Sequence, residues 1–300
     1  MTSRKIGIRN TAFGLLIAMI AMSSSAMKME ELKEPAGDQL EKIKAATPVK
    51  CEPPAKARRL FVFYLAEGFV HSSILYGNEC LKLMGEKTGA FVATFSKDKA
   101  DFTAENLKQY DGILFNNTTS LKLDDAQRKA IIDFVNGGKG IMGIHSASDN
   151  FGCCPELSDM IGGQFDGHPW GSGGTWAFKL DDPDHPVNRA FGGKGFIMSD
   201  EIYQIKGKYA HDNCRELISL DMSNPMNMKV NTNSIHRKDG DFPVAWLKPL
   251  GGGRVFYCSL GHREDVYFNK AVVQHYLDGI QYALGDFKVD DRTTDEAKKK

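Results

Sequence analysis

Several familiar signatures are absent from this chain. Formal net charge is zero, so no basic field is available to draw in nucleic-acid phosphates, and no acidic block to draw in a cationic partner. The six cysteines (Cys51, Cys80, Cys153, Cys154, Cys214 and Cys258) lack the paired C-x-x-C spacing of a zinc ribbon. A domain of this size needs no disulfide staple, and the reading is mostly buried free thiols. No H-E-x-x-H occurs, no internal repeat is visible, and the longest apolar run near the start, Ala12 to Met22, is shorter than the ~20 residues that cross a bilayer. One further absence matters most. The stretch Gly138 to Ser148, GKGIMGIHSAS, ends an apolar strand in a Gly-x-His-x-small turn. Hydrolytic α/β enzymes place a Ser or Cys nucleophile on such a strand-to-helix elbow; here the position is His145.

What is present is ordinary globular material, with 42% hydrophobic and 25% charged residues in a 300-residue chain, enough for one large domain. Residues 1–26 combine a basic start (Arg4, Lys5, Arg9), the apolar run and the small residues Ser23 to Ala26, the three-part pattern of a secretory signal peptide. The expectation is an exported protein, periplasmic or secreted, with no stable membrane span after cleavage. Residues 27–57 are polar and punctuated by Pro35, Pro48, Pro53 and Pro54, and read as an arm with one short helix over Gln39 to Ala46. The domain occupies 58–287. The tail 288–300, ending in three lysines, reads as disordered.

Within the domain, Leu60 to Ala66 is the continuous apolar run of a strand buried on both faces. Helix and strand then alternate. Helices are expected over Ser72 to Glu86, Thr103 to Gln109 and Asp124 to Asn136. Strands are expected over Ala90 to Phe95, Asp111 to Asn116 and Gly140 to His145. This is the pattern of an α/β parallel sheet with helices on both faces. After the elbow the pattern turns β-rich: strands over Thr175 to Leu180, Phe196 to Ile205 and Arg215 to Leu220, a hairpin from Val244 to Leu260, and a closing helix over Asn269 to Leu284. Open parallel sheets bind ligands beyond the carboxyl ends of their strands. The segments at those ends carry His71, His145 and His262.

Eight histidines are present, and convergent imidazoles serve proton transfer or a divalent metal such as zinc. Glu201, in SDEIYQ, and Asp166 are the carboxylates expected to accompany them. Trp170, in DGHPW with His168, offers an aromatic face for a pocket wall. Asp149 reads as a helix cap and His185 as a structural turn residue. Taken together, GFVHSS, NNTT, GKGIMGIHSASD, GGQFDGHPW, DPDHP, DEIYQ and GGGRVFYCSLGH, spread from Arg59 to Gly285, resemble the ThuA-like (trehalose utilisation) family. The resemblance implies a flavodoxin-like, class I glutamine amidotransferase-like fold and a role in the metabolism of trehalose, other glycosides or keto-sugars. Amidotransferases of that fold carry Cys at the elbow, completed by a His and a Glu. Here His145 holds the elbow, His262 stands where the triad His is expected, and Cys153 and Cys154 lie several residues too late. Cysteine-dependent glutamine hydrolysis is therefore not expected.

The reading assigns His145, His262 and Glu201 to catalysis and His71, His168, Trp170 and Asp166 to substrate binding, with His71, His145 and His262 as the alternative zinc ligands. The partner is a small carbohydrate. Sugar isomerase, lyase and hydrolase chemistry stay open, as does a non-catalytic sugar-binding protein with the same cleft. Convergence of the three histidines is required: a separation of His145 and His262 beyond about 10 Å would exceed any shared ligand geometry.

Overall fold

The expected apolar runs lie side by side in the computed structural model, which describes residues 27–152 and 154–299. The signal-peptide pattern over 1–26 and Cys153 lie outside the described residues. Among the described residues eleven strands form: β1 (Arg59–Phe63), β2 (Val92–Ser96), β3 (Gly112–Asn116), β4 (Gly140–Ile144), β5 (Gln164–Phe165), β6 (Trp176–Leu180), β7 (Phe196–Met198), β8 (Ile205–Lys206), β9 (Arg215–Leu220), β10 (Pro243–Leu250) and β11 (Gly253–Cys258). Nine make one sheet in the order β2-β1-β3-β4-β11-β10-β9-β6-β7. From β2 to β11 the pairings are parallel; from β11 through β10, β9 and β6 to β7 they are antiparallel. The β-rich C-terminal extension expected after the elbow thus continues the parallel sheet.

The parallel strands are apolar throughout because both faces are covered. Leu60, Val62, Leu114, Met142, Ile144 and Phe256 point into one core with residues of helices α1 (Asp38–Ala46), α2 (Ile74–Thr88) and α6 (Lys270–Leu284). Their neighbours Phe61, Phe63, Ile113, Phe115, Ile141, Val255 and Tyr257 point into the other, against α4 (Asp125–Asn136) and α5 (Pro155–Ile161). The short helix α3 (Ala104–Leu107) adds Leu107 to this second core. The expected cap of α4 is present: Asp124 accepts from the Gln127 amide at 2.8 Å, and Gln127 closes the capping box. At α6 the glycine Gly279 lets the ring of Phe256 lie directly on the helix, since a Cβ there would stand 2.4 Å from that ring.

Three expectations are corrected. The single strand expected over Phe196 to Ile205 is broken. Its start is edge strand β7 and its end is β8, which pairs only with β5 in a separate two-stranded ribbon. The residues between leave the sheet because the carboxylate of Asp200 accepts hydrogen bonds from the backbone of Gly261 and Arg263. Part of the tail expected to be disordered is folded: Thr294 is buried, its amide donates to Cys214 O at 2.9 Å, and it begins helix α7 (Thr294–Lys298). The arm is also tied down, with Ile43 and Ala46 in the core and the Glu52 amide donating to Gln281 at 3.0 Å. Helix α5, with Pro155 in its first turn, was not expected.

Cys51, Cys80, Cys154, Cys214 and Cys258 are free thiols, all but Cys51 buried. Among the described residues, no helix is long and apolar enough to cross a membrane.

Candidate functional site

The strand order β2-β1-β3-β4 reverses direction between β1 and β3, which leaves a crevice beyond the carboxyl ends of those strands. Around it, three residues other than glycine hold positive φ: Asn117 (51°) just after β3, Ser120 (50°), and His145 (49°) just after β4. This region costs a side chain of order 1–3 kcal/mol unless the surroundings impose it. At the elbow they do. Tyr257 Oη donates to His145 O at 2.6 Å, and Ile144 O accepts from the Asn117 amide at 3.3 Å.

The elbow turns the His145 ring inward, where it is fully buried. Its Nδ1 lies 2.7 Å from Ser259 O. A carbonyl only accepts, so Nδ1 carries the proton and Nε2 presents its lone pair to the crevice. Three polar atoms crowd that lone pair: Tyr203 Oη at 3.0 Å, His71 Nε2 at 3.2 Å and His262 Nδ1 at 3.3 Å. Glu201 completes the group, with Oε1 3.2 Å from His262 Nδ1 and 3.9 Å from His145 Nε2. His71, His145, Glu201 and His262 together place one ligand atom each within 4.8 Å of one another. His145 and His262 therefore meet the convergence requirement.

Burial dictates the charge states. Desolvation, reinforced by His262 and His168, lowers His71 to about 3. Desolvation, with His71 and His262 close by, also holds His145 well below its ordinary value. Both rings are thus neutral, the form that accepts a proton or ligates a metal. For His262 burial also opposes the charged form, but the hydrogen bond and charge of Glu201 outweigh it and raise its pKa. Asp200 is fully buried and pushed up to about 7 by desolvation, against the pull of the Gly261, Arg263 and Glu201 amides that bond it. It holds the turn that delivers His262: Oδ2 accepts from Gly261 N at 2.7 Å and Oδ1 from Arg263 N at 3.0 Å.

Above this floor a cleft of about 280 Å³ is lined by Phe69, His71, Thr119, Asp149, Phe165, His168, Glu201, Tyr203 and His262. A larger cavity of about 470 Å³, between the arm and α2, contains Lys82 and two glutamates but no imidazole, so the chemistry converges in the smaller one. His168 stands at the rim with Nδ1 3.5 Å from Glu201 Oε2. Two expected binding residues are elsewhere. Trp170 is fully buried, donating Nε1–H to Asn227 O at 2.9 Å and packing on Phe242; it bridges to Ile202, and that pairing turns its ring into the core. Asp166 faces away and binds Lys206 Nζ at 3.0 Å and His236 Nδ1 at 2.9 Å. Asp149, expected as a cap, instead lines the cleft, its carboxyl raised by burial. Asp200, Tyr203, Phe69 and Phe165 were not singled out from the sequence; an acidic residue next to Glu201, an aromatic residue two positions from each of Glu201 and His71, and another three positions from His168 were the signals available. His185 is buried and caps a turn by accepting from Val187 N, the structural role expected.

Two outcomes follow. Asn at position 200 offers one acceptor and two donors where the Gly261 and Arg263 amides both donate. Asp200→Asn should therefore lower unfolding free energy by about 1–3 kcal/mol, read as a lower denaturant midpoint at unchanged slope. An unchanged midpoint would remove Asp200 from its positioning role. The second concerns pH. The unfolded His71 imidazole binds its proton near 6.5 and the native one near 3, so the unfolded chain holds more protons in that window. The resulting stability is complete above about pH 6.5 and is lost as pH falls toward 3. Metal-stripped His71→Gln protein should lose stability less steeply across that window than the parent; equal slopes would contradict the neutral assignment.

Comparison with known proteins agrees with this architecture. The structure resembles that of a ThuA-like protein from Bacteroides uniformis, with a TM-score of 0.62 at 22% identity over 77% of this chain and 94% of that one. A ThuA-like protein from Parabacteroides merdae gives 0.59 at 17% identity, over 78% and 92%. A protein from Salmonella typhimurium described as cytoplasmic gives 0.52 at 13% identity, over 75% and 98%. No curated protein matches the sequence. The family model for ThuA, described as trehalose utilisation, matches residues 59–283, and the chain belongs to that family.

Proposed function

We propose that this protein is a divalent-cation-dependent enzyme acting on a small carbohydrate, a glycoside or keto-sugar. The observation that carries the reading is the overcrowded lone pair of His145. One lone pair accepts one good hydrogen bond, so protons alone leave two of its three polar contacts unbonded. A single tetrahedral cation at 2.0–2.1 Å from each imidazole would separate the nitrogens by about 3.3 Å. The contacts to His71 and His262 are 3.2 and 3.3 Å, and both His71 and His145 are neutral. His71, His145, His262 and Glu201 therefore fit zinc or a similar ion. A cation held there would supply Lewis acidity toward a sugar oxygen.

The remaining parts of the cleft suit the same substrate class. Phe69 and Phe165 offer the aromatic faces that Trp170 does not. The volume is at the small end of ligand sites, which favours one sugar ring over a long chain. His168 and Asp149 bring an imidazole and a carboxyl group to the walls outside the ligand group, where they can hydrogen-bond a bound sugar. Tyr203 Oη lies 3.0 Å from His145 Nε2 at the floor of the cleft, close enough to bond a group held there. No thiol stands at the elbow, so a cysteine-dependent amidotransferase reaction has no nucleophile. The pattern of residues 1–26 supports export to the periplasm or beyond.

Purified protein should carry about one equivalent of metal in this group. Turnover on a panel of saccharides and keto-saccharides should fall with chelator and return with zinc. His145→Ala and Glu201→Gln should each reduce turnover by about 10²-fold or more. Turnover indifferent to chelator and retained in both variants would overturn the reading, and sugar binding without turnover in the parent would favour a non-catalytic binding protein. For export, N-terminal sequencing of protein from the cell envelope should start near Met27; an intact Met1 terminus on cytoplasmic protein would contradict it.

A further inference from the structure

Among the described residues, one more cluster brings metal-ligating atoms together, and it shares no residue with the cleft. His211 follows β8, Glu216 is in β9, and Asp241 comes just before β10. One ligand atom from each lies within 4.8 Å of the others. His211 Nε2 is 2.9 Å from Glu216 Oε2 and 3.4 Å from Asp241 Oδ2. Glu216 is only 3% exposed, while His211 and Asp241 are half-buried, so the group opens to solvent on one side.

Its charges are poorly matched. Asp181 and Asp241 both act on Glu216, which makes three carboxyl groups in one neighbourhood. The cations nearby are engaged elsewhere: Lys179 Nζ sits on Asp181 at 2.7 Å, and Arg237 pairs with Asp239 at 2.5 Å, reaching Asp241 only at 3.4 Å. Among the described residues, His211 alone stands within ion-pair distance of Glu216. A second observation is independent of these ligands. The hydroxyl of Tyr209, a residue 5% exposed and packed against Trp246, interacts with Glu216 but makes no hydrogen bond of ordinary geometry; Glu216 Oε1 makes none either. Two buried oxygens left in this state cost free energy that a bound ion with its water would recover.

We infer that His211, Glu216 and Asp241 hold a second divalent cation, one that takes an imidazole nitrogen together with carboxylate oxygens, such as zinc or manganese. Tyr209 Oη stands ready to bond a water on that ion. The site also braces the C-terminus. Asp295 N donates to His211 O at 3.0 Å, and Glu216 N donates to Thr294 Oγ1 at 2.9 Å, so ordering these ligands orders the strand on which α7 is docked.

The test is calorimetric titration of metal-stripped, full-length protein with Zn²⁺ and, separately, with Mn²⁺. His211→Ala and Glu216→Gln should each remove one equivalent relative to the parent, or weaken it more than tenfold, for at least one of the two ions. His211 is half-exposed, so its variant keeps the fold, which a thermal melt checks. Parent protein that binds no ion, or a stoichiometry and affinity unchanged in both variants, would overturn the site. The count is taken against the parent, so it stands or falls separately from metal binding in the cleft, whose ligands both variants retain.

Discussion

The hydrogen bond from His145 Nδ1 to Ser259 O, at 2.7 Å, ties the end of β4 to the end of β11 and fixes which nitrogen faces the crevice. The other ligand-bearing side chains are disposed around the lone pair this leaves on Nε2. β4 must end in a left-handed residue to aim the ring, and Tyr257 holds that strained carbonyl in place. β11 must then continue into a turn that returns His262 to the same point, and Asp200 holds that turn by its backbone amides. Ser73 Oγ donates to Gly261 O at 2.7 Å, so the start of α2, and His71 just before it, are locked to the same turn. Three chain segments far apart in sequence are thus registered by short polar bonds at one end of a rigid parallel sheet.

Desolvation sets the chemistry of this arrangement. Imidazoles packed at 3.2–3.3 Å, two of them (His71 and His145) held neutral by burial, are poorly served by protons alone and suited to act as ligands. Glu201 contributes the only carboxylate in the ligand group, raises His262 and reaches His168 at the rim. The strand-to-helix elbow on which hydrolytic α/β enzymes expose a nucleophile here buries the imidazole of His145.

The sequence made the sheet legible because buried parallel strands are continuous apolar runs and their helices have strong periodicity and caps, as at Asp124 and Gly137. It made three site residues legible because strand ends bear ligands in such sheets, and His71, His145 and His262 stand at strand ends. Glu201 was legible through its motif, although the surrounding residues looked like uninterrupted strand; the break at Asp200 depends on backbone amides sixty residues away, which no local pattern encodes. Trp170 failed for a related reason. A polar, glycine-rich context placed it near the cleft, but the pairing of Trp170 with Ile202 decides which way its ring points. Phe69, Phe165 and Asp149 are close neighbours of expected residues, and only the three-dimensional crevice separates the lining positions from the rest. The tail was misread because its lysines and charge dominate composition, whereas its order comes from the hydrogen bonds of Thr294 to Cys214 and Glu216.

The central claim is that His71, His145, His262 and Glu201 surround one cation, and anomalous diffraction from a zinc-soaked crystal at the metal edge tests it most directly. The account predicts an anomalous peak bonded to His71 Nε2, His145 Nε2 and His262 Nδ1 at about 2.0–2.1 Å each, with a Glu201 oxygen completing the set. A crystal with full zinc access, no peak in that group, and the three rings bonded only to one another and to Tyr203 would contradict it.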